Sequence, residues 1–147
     1  MDTAQFVYVT YIAATQEKIW DAITDPNITT KYWTCENIST WQPGTKWEHR
    51  RSDKEKTLLL VGKIIDAASP KYLALTWADV ADESIPEKHS RVTFKIEQYR
   101  DVVRLTVTHD QLENDSEMLK NIKDGWPKVL SSLKSLMERD RPLPPLW

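Results

Sequence analysis

The sequence predicts an α+β domain: an antiparallel meander of six strands, two short helices after the first strand, and one long C-terminal helix received by the sheet. Three observations carry this. Strand-like stretches succeed one another over short connections, with no helical crossovers of the kind a parallel sheet needs. The closing segment spaces its apolar residues by threes and fours. Seven Trp, five Tyr and two Phe stand against only three Gly in 147 residues, an aromatic load suited to one sizeable core or to the lining of a hollow within it. The length is that of a single domain, which we place at residues 1–140, with a Pro-rich tail at 141–147.

"FVYVTYIAA" (6–14) is β-branched and aromatic and reads as a strand, ending at Thr15, which can cap the helix after it. "TQEKIWDAIT" puts Ile19, Trp20 and Ile23 on one helical face and Glu17, Lys18 and Asp21 on the other. Asp25-Pro26 ends that helix, because a residue before proline is pushed out of the helical region, and a short second helix spans about 26–33. "CENISTWQPG" reads as a loop feeding a strand in which Trp47 and His49 share a face. "TLLLVGKIIDA" (57–67) is nearly all apolar, so the expectation is a strand covered on much of both faces. "KYLALTW" (71–77) is a further strand. "SRVTFKIEQ" alternates with Val92, Phe94 and Ile96 inward, and "DVVRLTVTHD" with Val103, Leu105, Val107 and His109 inward. The last helix runs from about Asp115 to Glu138 with Leu119, Ile122, Trp126, Val129, Leu130 and Leu133 on its apolar face.

Inside that helix, "DGWPKVL" (124–130) sets Gly125 and Pro127 around Trp126. Proline cannot donate to the carbonyl four residues back, and in a helix interior it costs about 3 kcal/mol. Two outcomes are open: a kink at Gly125, or a restart with Asp124 as cap and Pro127 in the first turn.

Composition excludes several classes. The net charge of −2, from 20 basic and 22 acidic residues, offers no clustered basic face for nucleic acid. There is no signal-like N-terminus and no apolar run long enough for a bilayer, so membrane insertion is not expected and the expected location is cytoplasmic. The lone Cys35 reads as a small buried thiol in a loop. Histidines at 49, 89 and 109 have no ligand spacing for zinc, so no metal site and no cofactor are expected. No nucleophile motif surrounds any serine, so the reading leans away from an enzyme. His109 ends an apolar strand face, where it is either a hydrogen-bonded structural histidine or a polar group reachable from a cavity; His49 beside Trp47 is a weaker case of the same kind.

In order along the chain, "IWDAITDP", "KYW", "PGTKWE", "VGKIIDAASPKYLALTW", "SRVTFKIE", "RLTVTHDQL" and "GWPKVLSSLKSLME" resemble bacterial members of the activator of Hsp90 ATPase homologue 1-like family, within the START/Bet v 1-like (SRPBCC) helix-grip superfamily. The likeness spans about residues 5–138. It implies a curved sheet gripping the long helix, with a hydrophobic cavity between them. Expected cavity residues are Trp20, Trp33, Trp47, His49, Trp77, Phe94, Leu105, His109, Ile122, Trp126 and Leu130. The expected partner is a hydrophobic or aromatic small molecule. A polyketide cyclase- or aromatase-like enzyme is the alternative, and an Hsp90 ATPase activator-like cofactor ranks third, because the chain opens directly on its first strand where eukaryotic activators bring a further N-terminal domain. The tail "RPLPPLW" reads as a polyproline-type strap packing Leu146 and Trp147 on its own surface or on a neighbour's, a homodimer contact being one form.

Overall fold

The computed structural model describes residues 3–146. Strand β1 (Thr3–Ile12) leads into helices α1 (Gln16–Thr24) and α2 (Pro26–Trp33), and then come β2 (Cys35–Ser39), β3 (Lys46–Arg51), β4 (Leu58–Ala68), β5 (Tyr72–Asp79), β6 (Ser90–Tyr99), β7 (Val102–Glu113) and helix α3 (Glu117–Arg139). The seven strands form one antiparallel sheet in the order β1-β7-β6-β5-β4-β3-β2, so the meander from β2 to β7 is extended at its far edge by β1 pairing with β7.

The sheet has seven strands where the sequence predicts six. The additional one, β2, lies in the stretch read as a loop. Its inward positions hold Cys35 and Asn37 while Ile38 faces out, so no apolar alternation marks it. Pairing with β3, Cys35 opposite Arg51 through Ser39 opposite Trp47, makes it a strand. A second expectation holds for part of the strand only: Val61, on the outer face between the inward Leu60 and Gly62, is 1 % exposed, whereas Ile65, further along the same face, is 46 % exposed. An apolar run does not by itself distinguish one covered face from two.

Local chemistry sets the helix ends. Thr15 caps α1 by accepting from the Lys18 amide, and Asp25 both ends α1 and caps α2, with Pro26 in the first turn. Ser116 caps α3, which runs unbroken from Glu117 to Arg139 with Pro127 inside it. Neither a restart nor a cap at Asp124 occurs; the Asp124 carboxylate instead takes Lys128, one turn on, at 2.7 Å.

The core lies between the inner face of the sheet and α1 and α3. Val92, Phe94 and Ile96 of β6 and Val103, Leu105 and Val107 of β7 meet Leu119, Ile122, Leu130 and Leu133 of α3, and Ile19 and Ile23 of α1 close one end. The tail returns along α3: Ser135 donates to the Arg141 carbonyl and Ser132 accepts from the Leu143 amide. The tail is thus tied to α3 as far as Leu143; Leu146 is 42 % exposed on this chain, and Trp147 lies outside the described residues. Among the described residues no helix is long and apolar enough to cross a membrane.

Candidate functional site

Where α2, the β3–β5 end of the sheet and the first half of α3 face one another, packing leaves two adjoining clefts open to solvent. The smaller, about 230 Å³, is walled by Trp33, His49, Leu60, Trp77, Ile122 and Trp126, with Asp79, Met118 and Asn121 also on its lining. The larger, about 690 Å³, runs past Thr34, Cys35, Arg51, Asp53, Asp124 and Lys128. Trp33, Gly125 and Val129 belong to both. Gly125 explains part of the opening: a Cβ built there meets nothing within 4 Å, so the helix presents bare backbone to empty space.

Strand register assembles the aromatic wall. On β3 the period of two sends Trp47 and His49 inward together, and β5 contributes Trp77 two strands away. Trp33 is the last residue of α2; Thr34, at φ 59°, ends the helix in the left-handed conformation and reverses the chain into β2. Ring centroids lie 5.5 Å apart for Trp33–Trp126, 5.5 Å for Trp77–Trp126, 5.2 Å for Trp47–Trp77 and 4.8 Å for Trp33–His49. Trp47 is held in turn by its indole N–H, which crosses over Gly62 to the Thr76 carbonyl at 2.7 Å. Any Cβ at position 62 would collide with that indole and that carbonyl.

The two inward histidines have different surroundings. His109 is wholly buried behind Trp126. The Trp126 indole donates to its Nδ1 at 3.1 Å, so Nδ1 carries no proton; Nε2 then donates to Ser90 Oγ at 2.8 Å, and Ser90 donates onward to the Trp77 carbonyl at 2.9 Å. Every polar atom of the ring is satisfied, and burial holds its pKa down at about 4. His49 faces the smaller cleft. Asn37, its cross-strand partner, donates through Nδ2 to the Ile23 carbonyl and so turns Oδ1 toward His49 Nδ1, at 2.6 Å. Nδ1 therefore carries the proton, and Nε2 is a bare acceptor with no partner among the described residues. Burial sets the His49 pKa at about 4 as well, which keeps the ring neutral. The Trp77 indole N–H, in the same wall, is buried with no hydrogen-bond partner.

The larger cleft carries charges that cancel locally. Arg51 lies 3.9 Å from Asp53, and Lys128 pairs with Asp124. Cys35 is buried, and desolvation raises its thiol pKa to about 11, so at neutral pH it is protonated and poorly nucleophilic. Among the described residues no group of three or more His, Cys, Asp or Glu could hold a metal ion.

Of the residues expected at the cavity, Trp33, His49, Trp77, Ile122 and Trp126 line the smaller cleft. Trp47 and Phe94 stand behind them, Phe94 edge-on to Trp126 at 5.9 Å. Leu105, Leu130 and His109 line neither cleft: all three are buried in the core between the sheet and α3. Trp20 is half-buried on α1, away from both clefts. Sequence reasoning missed Asn37, Leu60, Gly125 and Val129. Gly125 carried a readable signal, a costly helix glycine; Asn37 carried none, since its strand was itself unread.

Residues 13–138 match the family described as Activator of Hsp90 ATPase homolog 1-like protein. A search of curated proteins returns no match. Among solved structures, the chain is similar to the Aha1 dimer from Colwellia psychrerythraea, at 20% identity and TM-score 0.76 over 92% of this chain and 97% of that one. It is similar to CalU16 from Micromonospora echinospora, at 20% identity and TM-score 0.71 over 92% and 77%. It is also similar to an HSP90 activator from Plasmodium falciparum, at 16% identity and TM-score 0.72 over 90% and 94%. At such identities the likeness is one of fold.

Proposed function

The chain belongs to the Activator of Hsp90 ATPase homolog 1-like family, and from that premise we propose that it binds a hydrophobic, aromatic-bodied small molecule in the cleft between the sheet and α3. One observation carries the reading: an open cleft of about 230 Å³ whose wall is built from Trp33, Trp77 and Trp126, at a point where α3 bears a glycine with empty space in front of it. A glycine inside a helix costs about 1 kcal/mol relative to alanine. Here it relieves no clash, so the space it keeps is the reason it supplies. Concave, mainly apolar sites with a few placed polar groups are what small ligands occupy.

The cyclase-like alternative needs an acid or base in the cleft. His49 is the histidine there, and with a pKa of about 4 it is a weak base at neutral pH, which favours binding over catalysis. The chaperone-cofactor alternative draws support from the family's description and from the likeness in fold to the Plasmodium protein.

An environment-sensitive dye should bind the native protein in a one-to-one ratio and be displaced by small aromatic compounds. Gly125→Leu should fill the junction of the two clefts, leave the protein at least as stable, and weaken dye binding by about tenfold or more. Normal cooperative unfolding with no dye bound to the wild type would refute the reading.

A further inference from the structure

Resting on the binding function proposed above, we propose that the ligand of the smaller cleft is a cation, a protonated amine on an aromatic body, drawn in by Asp79 and held among the indoles of Trp33, Trp77 and Trp126. Asp79 is the one charged residue on the lining of that cleft, and neither Lys nor Arg joins it there. Among the described residues its carboxylate has no ion-pair partner, and it makes no capping bond to the short helical turn, Val80–Asp82, that follows it. The charges of the larger cleft are matched by contrast, Arg51 with Asp53 and Lys128 with Asp124. A hollow with low-dielectric walls and charge of one sign concentrates ligands of the other sign.

Strand register brings that carboxylate to the hollow. On β5 the period of two puts Asp79 on the same face as Trp77, and Leu60 of β4 stands opposite both Asp79 and His49 of β3, so the three make one row along the cleft. Trp33, Trp77 and Trp126 are mutual neighbours at the same place, with ring centroids 6.4, 5.5 and 5.5 Å apart. Of the aromatic side chains, indole attracts a cation most strongly through its ring quadrupole. His49 adds an acceptor and no charge: Asn37 keeps its proton on Nδ1, so Nε2 can only accept a hydrogen bond. Nothing on this wall repels a cation, whereas a carboxylate would approach Asp79 with no basic residue to offset it. A neutral ligand of the same shape keeps the apolar contacts and gains nothing from Asp79. The volume of about 230 Å³ lies below the roughly 300–1,000 Å³ usual for drug-sized ligands, which suits one small ring on a short ammonium arm.

Three probes of similar shape test this on the intact chain: 2-phenylethylamine, 2-phenylethanol and 3-phenylpropanoate, titrated calorimetrically at neutral pH, with the indole N–H resonances of nitrogen-15-labelled protein reporting whether each enters among the tryptophans. The expected result is that 2-phenylethylamine binds about tenfold more tightly than 2-phenylethanol, with 3-phenylpropanoate weakest. That margin should narrow as salt is raised. Asp79→Asn, at an exposed position, should bring 2-phenylethylamine to within about twofold of 2-phenylethanol. Equal binding of amine and alcohol, or tightest binding by 3-phenylpropanoate, overturns the proposal while leaving an apolar binding cleft intact. A preference for the amine that survives Asp79→Asn undiminished also overturns it, because the selectivity then arises elsewhere. No binding of any probe to the folded protein removes the cleft reading and this proposal with it. If Asp79→Asn does not fold, the wild-type affinity order and its salt dependence decide alone.

Discussion

Two buried histidines, His49 on β3 and His109 on β7, have opposite fates, and the difference lies in their partners. His109 is saturated by Trp126 and Ser90, so its role is to lock the Trp126 ring against the sheet. His109→Leu should orphan the Trp126 N–H and cost about 1 to 3 kcal/mol, measured by urea unfolding, with dye affinity within about twofold of wild type. A large loss of affinity at unchanged stability would instead make His109 a ligand contact. Both histidines also give a pH signature. Their folded pKa values, about 4 for each, lie below the value of about 6.5 of an unfolded chain. Below pH 6.5 the unfolded state therefore binds protons that the folded state refuses, and stability falls as pH drops from about 6.5 toward 4, by up to about 3 kcal/mol per histidine. Above about pH 7 the two contribute no slope. His109→Leu should have a shallower decline than wild type across that window, and an unchanged slope would place the His109 pKa near its ordinary value.

At the level of elements, α3 and β4 each contain a glycine with a separate cause. Gly62 lies where the Trp47 indole crosses β4 to reach β5, with no room for a methyl group. Gly62→Ala should cost about 3 kcal/mol or more, or abolish folding, as forced overpacking beside backbone does; urea unfolding reads the loss. Gly125 has room to spare. Pro127 lies two residues on, inside a helix that continues to Arg139, so it leaves the Lys123 carbonyl without its usual donor. Pro127→Ala should therefore raise the melting temperature, with a gain of up to about 3 kcal/mol. A neutral result would mean that the surroundings already accommodate the proline. The two "poor" helix residues thus separate: one keeps a space, the other is a cost that the packing of Trp126 and Val129 carries.

At the scale of the whole molecule, β1 joins the far edge of the sheet through β7, and the chain end is tied back to α3. Two hydrogen bonds, Ser135 to the Arg141 carbonyl and the Leu143 amide to Ser132, make that tie. Ending the chain after Asp140 should cost about 1 to 3 kcal/mol, read as a fall in melting temperature, with ligand binding retained because the clefts lie toward the other end of α3. No change in stability would mean that the tie forms only transiently in solution.

The fold was legible because it depends on periodicity. Alternation in β6 and β7, the three-and-four spacing of α3 and the Thr15 and Asp25 caps are local signals, and the structure repeats them. Where the signal was absent the reading failed: β2 turns Cys35 and Asn37 inward, and only its pairing with β3 makes it a strand. The aromatic residues of the cleft were visible by type, yet the sequence could not sort Trp33, Trp77 and Trp126, which line it, from Trp20, Leu105 and Leu130, which do not. Period fixes which face of an element a residue occupies. Whether that face meets a neighbour or a gap depends on the distance between elements, and that distance is decided by long-range packing: the Trp47 indole over Gly62, Asn37 across to His49, and the bare turn of α3 at Gly125.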